Sequence, residues 1–197
     1  MTADLQHIQL LIAEGDERAL ASLYQLFSKR LLHFATLLTR SPELAEEIVE
    51  DTFVKLWTNR ADIRNVHNLN VYLYVAVKNR SLNAIAHKAK ELVSIPFDHL
   101  EIEMSQDASD PYSLLITAEM MKRIRQAVET LPPRCKMIFK LIRQDGLSYK
   151  EVADILNISV NTIDAQMAIA VKKICAALNL PGDWQQLKKY RFTNKDF

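Results

Sequence analysis

The stretch Gly146–Met167, "GLSYKEVADILNISVNTIDAQM", constrains this chain more than any other. It reads as two short helices broken by Asn157-Ile158-Ser159. Ser148 and Glu151 stand at the spacing of a capping box, in which hydroxyl and carboxylate each accept the other's exposed backbone N–H. Val152, Ile155 and Leu156 give the first helix one apolar side, and Ala153 is small enough to let another helix approach. Asn157 tolerates the left-handed backbone of a tight turn, and Ser159 can cap the second helix. That helix has a narrow apolar seam: Val160, Ile163, Met167, Val171, Ile174 and Leu178. Two short helices across a tight turn, the second strongly one-sided, is the helix-turn-helix pattern. A plain helical hairpin has a similar pattern. The capping box, small residue and tight turn together favour DNA binding.

The rest of the chain points to an all-α protein. Apolar residues recur at helical spacing almost throughout, and the 197 residues contain only three glycines, too few for sandwiches, barrels or Gly-rich phosphate loops. Half the composition is apolar (49%), enough for a real core. The opening segment carries acidic residues, unlike a signal peptide, and no apolar run is long enough to span a bilayer. Cys135 and Cys175 lie far apart without metal-ligand spacing and are expected as buried, reduced thiols. A cytoplasmic protein is expected, without membrane insertion.

Net charge is +1, but it is unevenly spread. Residues 91–119 carry seven Asp/Glu and no Lys/Arg, whereas 120–197 carry 14 Lys/Arg against seven Asp/Glu. A basic C-terminal third suits a polyanionic partner. Four segments follow: a helical domain over 1–91, an acidic linker over 92–111, the helix-turn-helix domain over 112–180 and an unassigned basic, aromatic tail over 181–197. Ser41-Pro42 is a cap-plus-proline helix start, with a helix to about Asn59. Asn70 is a candidate start for the next helix. Asp110-Pro111 is expected to restart helix after the linker, Pro132-Pro133 to break it, and Gly146 to end the helix that begins at Pro133.

"LPPRCKMIFKLIRQDGLSYKEVADILNISVNTIDAQMAIAVKKI" resembles region 4 of the extracytoplasmic-function (ECF) sigma factors of bacterial RNA polymerase. "AEEIVEDTFVKLW" and "VYLYVAVKNRSLN" resemble two consecutive helices of region 2 in the same family. "VYLYVAVKNRSLN" looks most like the Bacteroidetes-type members of that family. The resemblance covers about 20–90 and 112–178 and implies a sigma factor that directs promoter-specific initiation. Its implied partners are core RNA polymerase, promoter DNA and an anti-sigma factor. No small-molecule substrate, cofactor or metal is implied. The five histidines fall in unrelated contexts, and no catalytic constellation is visible, so an enzyme is not expected.

Residue by residue, the resemblance implies three surfaces. On the 44–58 helix the apolar residues span roughly 220°, far more than the ~100° one stripe needs. Glu47, Asp51, Phe53, Leu56 and Trp57 are the expected polymerase interface; a helix buried on several sides is the alternative. On the next helix Lys78, Asn79, Arg80, Asn83 and Lys88 would meet the −10 element. On the recognition helix Ser159, Asn161, Thr162, Ala165, Gln166, Ile169, Lys172 and Lys173 would face the −35 element. The acidic linker would thread through the polymerase channel, or simply act as a solvated tether.

Two departures from the family pattern stand out. Asn83-Ala84-Ile85-Ala86 replaces the usual Asp-Tyr-Leu-Arg, removing an aromatic ring and a charge. Ile169 stands where Arg or Lys is usual. A degenerate sigma-like adaptor with weak promoter opening therefore stays open as a reading, as does a helix-turn-helix regulator that works without polymerase.

Overall fold

The computed structural model describes residues 2–91 and 115–178, with side chains over 5–87 and 122–178. The linker, the Asp110-Pro111 start, the tail and the Lys88 side chain lie outside the described residues. Two compact units divide between Ile102 and Glu103, inside the segment read as linker. No strand occurs among the described residues.

The first unit contains α1 (Thr2–Ala13), α2 (Glu17–Thr39), α3 (Pro42–Thr58), a 3-10 turn (Arg60–Asn65) and α4 (Leu69–Glu91). The chain turns between α1 and α2 at Gly15, whose φ of +92° lies in the left-handed region that a side chain would strain. Asp16 then caps α2, its carboxylate accepting from Arg18 N at 2.7 Å and Ala19 N at 3.2 Å. Ser41 caps α3 by accepting from Leu44 N at 3.3 Å, with Pro42 in the first turn, as the sequence suggested. The start of α4 differs by two residues. Its helix begins at Leu69, and Asn68 rather than Asn70 supplies the cap, accepting from Val71 N at 3.2 Å. Leu69 is buried, so the apolar pattern of α4 begins before Asn70.

α2 packs on α3 and α4, and α1 packs on α2 and the 3-10 turn. Leu23, Phe27, Leu31 and Phe34 from α2 meet Ile48, Val49 and Leu56 from α3 and Leu73 and Tyr74 from α4 in the core. The Phe34 and Tyr74 rings lie 5.2 Å apart, tilted. Buried Gln9 on α1 donates to two carbonyls, Ile63 O at 2.6 Å and Val66 O at 2.8 Å, and so ties α1 to the end of the 3-10 turn.

The second unit contains α5 (Leu115–Glu129), α6 (Pro133–Arg143), α7 (Tyr149–Leu156) and α8 (Val160–Ala177). α8 is central, packing against α5, α6 and α7. Pro132 and Pro133 separate α5 from α6, and Gly146 adopts φ +73° after α6. Cys135 and Cys175 are buried and unoxidised, as expected.

This core also contains charge. Lys136 and Lys140 on α6 are each only 7% exposed, and both reach Glu129 at the end of α5, at 2.9 and 3.2 Å. Burial alone would raise the Glu129 carboxyl, but the hydrogen bonds and charges of the two lysines outweigh it and hold the group below its ordinary value. Burial lowers Lys140, and the attraction of Glu129 opposes that. Two of the basic residues counted toward a polyanion-binding surface thus lie inside the domain.

Candidate nucleic-acid and polymerase surfaces

The α7–turn–α8 unit is built as its sequence indicates. The Ser148–Glu151 box closes in both directions: Glu151 N donates to Ser148 Oγ at 3.2 Å and Ser148 N donates to Glu151 Oε2 at 2.8 Å. Asn157 takes φ 54°, ψ 53°, the left-handed conformation that turns the chain between the helices. Ser159 accepts from Thr162 N at 3.1 Å and starts α8. Cys135 Sγ on α6 donates to the carbonyl of Gln166 at 3.2 Å, fixing α8 against the helix beneath it.

Ile163, Met167, Val171 and Ile174 form the expected buried seam, joined by Ala170 and Cys175. Val160 does not belong to it, being 45% exposed. Side chains of a helix lean toward its N-terminus, so Val160, the first helical residue, points past the cover that α6 and α7 give the later turns. Ser159, Asn161, Ala165, Ile169, Lys172 and Lys173 are exposed, whereas Thr162 and Gln166 are half-buried. Asp164 is also exposed, the one charge on the outer side between Asn161 and Ile169. Ala168 joins the exposed face, and Lys172 and Lys173 follow a turn later. Asp164 adds to the upward pull on the Tyr149 phenol of α7, which burial starts and Arg143 opposes.

In the first unit the expected interface on α3 divides. Glu47 and Asp51 face solvent. Phe53 and Leu56 do not: they are 5% and 1% exposed. This corrects their assignment as polymerase anchors. The broad apolar arc of α3 is covered by α2, α4 and the 3-10 turn, and Phe53 packs edge-on to Tyr24 with centroids 4.9 Å apart. Trp57 is half-buried, with the Arg60 guanidinium 4.8 Å above its ring. What α3 offers outward is an acidic stripe, Glu43, Glu46, Glu47, Glu50 and Asp51. Val54 lies on the same side, 64% exposed. Sequence reasoning missed Val54, although an apolar residue inside an acidic sector of the wheel is a readable signal.

On α4, Asn79 and Asn83 are exposed, and Lys78 is half-buried. Arg80 is turned toward α3, donating to Asp51 Oδ2 at 3.2 Å. Of the expected −10 set, Asn79 and Asn83 thus lie on the outer face of α4, beside Leu82, Ala86 and His87, which were not in that set; Leu82 is 50% exposed. Among the described residues no helix is long and apolar enough to cross a membrane. No group of His, Cys, Asp or Glu among them is arranged to hold a metal.

A helical unit with an acidic helix face, followed by a helix-turn-helix unit, defines a protein- and DNA-binding factor. Comparison with known proteins specifies it. The sigma-70 region 2 model matches residues 23–91, and the sigma-70 region 4 model matches 121–174. The ECF RNA polymerase sigma-E factor of Escherichia coli (strain K12) is 22% identical over 162 residues, covering 79% of this chain and 84% of that protein. The ECF RNA polymerase sigma factor SigW of Bacillus subtilis (strain 168) is 22% identical over 168 residues, covering 79% and 87%. The sigma factor RpoE of Bartonella quintana, solved in complex with the anti-sigma factor NepR, shares the fold at TM-score 0.57 and 20% identity, covering 81% of this chain and 96% of that one. CnrH, solved with the cytosolic domain of CnrY, gives TM-score 0.53 at 16% identity, covering 88% and 96%. The chain belongs to the ECF group of the sigma-70 family.

Proposed function

We propose that this chain docks on core RNA polymerase through the outer face of α3, with Glu47, Glu50 and Asp51 as its charged contacts. It then directs the enzyme to promoters whose −10 element meets α4 and whose −35 element meets α8. The observation that carries the reading is the pairing, in one chain, of a fully capped helix-turn-helix with an acidic helix face backed by a closed core. Acidic residues exposed on a rigid helix suit a basic polymerase surface and speed its encounter. Asn79 and Asn83 on α4 and Asn161 on α8 present amides able to pair with base edges. The sigma factor supplies recognition, and the polymerase supplies the chemistry. The complex in which RpoE was solved, with the anti-sigma factor NepR, supports an anti-sigma partner for this chain, and the relatives support a cytoplasmic location.

Mixing the purified chain with bacterial core polymerase and separating by size tests the docking. The wild type is expected to co-elute, and a Glu47→Lys/Asp51→Lys variant to stay free. If both proteins behave alike, α3 is not the docking face. One observation favours a second reading. Among the described side chains the outer face of α4 shows no Tyr, Phe, Trp or Arg, only the His87 ring, which suits an adaptor that forms holoenzyme but opens promoters poorly. Permanganate footprinting of the holoenzyme separates the two, because only an opening sigma factor makes −10 thymines reactive.

A further inference from the structure

We infer that the −35 contact of this chain is an apolar one: Ile169 and Ala165 read thymine methyl groups, and the −35 element is accordingly A·T-rich. This rests on the reading of α8 as the −35 helix. Ile169 is 42% exposed and Ala165 and Ala168 are also exposed, on a helix that has ample core elsewhere to bury apolar residues. No Lys or Arg occurs on α8 before Lys172, so its first turns have no cation to hold a phosphate or to pair with guanine O6 and N7. The Ser159 and Thr162 hydroxyls are engaged with each other in the helix cap, so the chemistry left to this face is amides at Asn161 and half-buried Gln166 and methyl groups at Ala165 and Ile169. In the major groove an Asn amide matches adenine N6 and N7, and an aliphatic side chain matches the C5-methyl of thymine.

The spacing agrees. Asn161, Ala165 and Ile169 follow one another every fourth residue along the exposed side. Four residues advance a helix by about 6 Å, close to two base steps of roughly 3.4 Å. Asp164, exposed on the same helix, works against any phosphate contact nearby and makes the contact still less electrostatic.

Removing a methyl group without disturbing anything else tests the inference. Holoenzyme made with the full chain would be used to select promoters from a library randomised over the −35 element. Each selected thymine would then be replaced by 2′-deoxyuridine. We expect an A·T-rich selected element with at least one thymine whose replacement weakens binding about three- to fourfold, the value of one methyl taken out of water. Ile169→Ala should abolish that sensitivity, and Ile169→Val should retain most of it. A G·C-rich element, indifference to uracil, or sensitivity persisting in both Ile169→Ala and Ala165→Gly overturns the inference. Failure to form holoenzyme at all overturns the sigma reading beneath it.

Discussion

α3 and α8 each bury one side against their neighbours, α3 against α2 and α4, and α8 against α5, α6 and α7. They differ in what they turn outward. α3 shows a row of carboxylates, whereas α8 shows mainly methyl groups and amides until its last turns. The second unit does contain charge, but it places Lys136 and Lys140 inside, on Glu129. One surface therefore acts at a distance and is screened by salt, and the other acts only at contact. A sigma factor built this way would find its polymerase by charge and its −35 element by fit.

The largest test of that contrast is charge reversal on α3. Like charges brought together across an interface cost several kcal/mol, so Glu47→Lys/Asp51→Lys should weaken polymerase binding by about 100-fold or more, measured by fluorescence titration. The wild-type affinity should also fall steeply with salt. If salt has no effect, the contrast collapses from the α3 side.

The inward charge of the second unit comes next. Glu129→Gln removes the carboxylate that both buried ammonium groups reach. It should cost about 1–3 kcal/mol, a value reduced from that of a fully buried pair because Glu129 itself is partly exposed. Thermal melting of the full chain reads this in the transition of the second unit. The acid limb follows from the lowered Glu129 carboxyl. Its contribution is complete above the ordinary carboxylate range and is lost as pH falls through that range toward the folded value. Glu129→Gln should flatten this loss.

Smaller effects sharpen the contrast. Ser148→Ala removes one arm of the capping box and should cost about 1 kcal/mol of stability, read as a lowered melting temperature, because α7 positions α8. Ile169→Arg should convert the −35 contact to an electrostatic one, steepening the log–log salt dependence of promoter binding by about 0.9. Unchanged salt dependence would mean that position 169 does not lie against the DNA. Asp51→Ala should shift stability by no more than about 1 kcal/mol in chemical denaturation, because its pair with Arg80 is mostly exposed.

Legibility from sequence tracked the range of the interactions. The helix-turn-helix was readable in detail because Ser148, Glu151, Asn157 and Ser159 act on backbone within a few residues of themselves. The burial of Phe53 and Leu56 was not, because whether a 220°-wide apolar arc (roughly, on an ideal wheel) is core or interface depends on how many helices pack around it. Gln9 was invisible for the same reason: its carbonyl partners, Ile63 and Val66, lie more than fifty residues away in sequence. It also places α1 in a folded unit whose family match begins only at residue 23. The Lys136–Glu129–Lys140 cluster shows how a count of basic residues misleads when some of them never reach the surface. The acidic linker and the Lys88 side chain fall outside the described residues.

The buried thiols have a practical consequence. Cys135 is fully enclosed, burial holds its pKa above the usual thiol range, and Cys175 is almost as well covered. Thiolate is the reactive form, so both should react slowly with maleimides while the chain is folded. A single cysteine introduced on the outer face of α3 or α8 would then take a fluorophore against a dark background, with no need to remove the native pair. Distances from α3 and α8 to promoter and polymerase could be followed by energy transfer during initiation, in a chain otherwise unaltered.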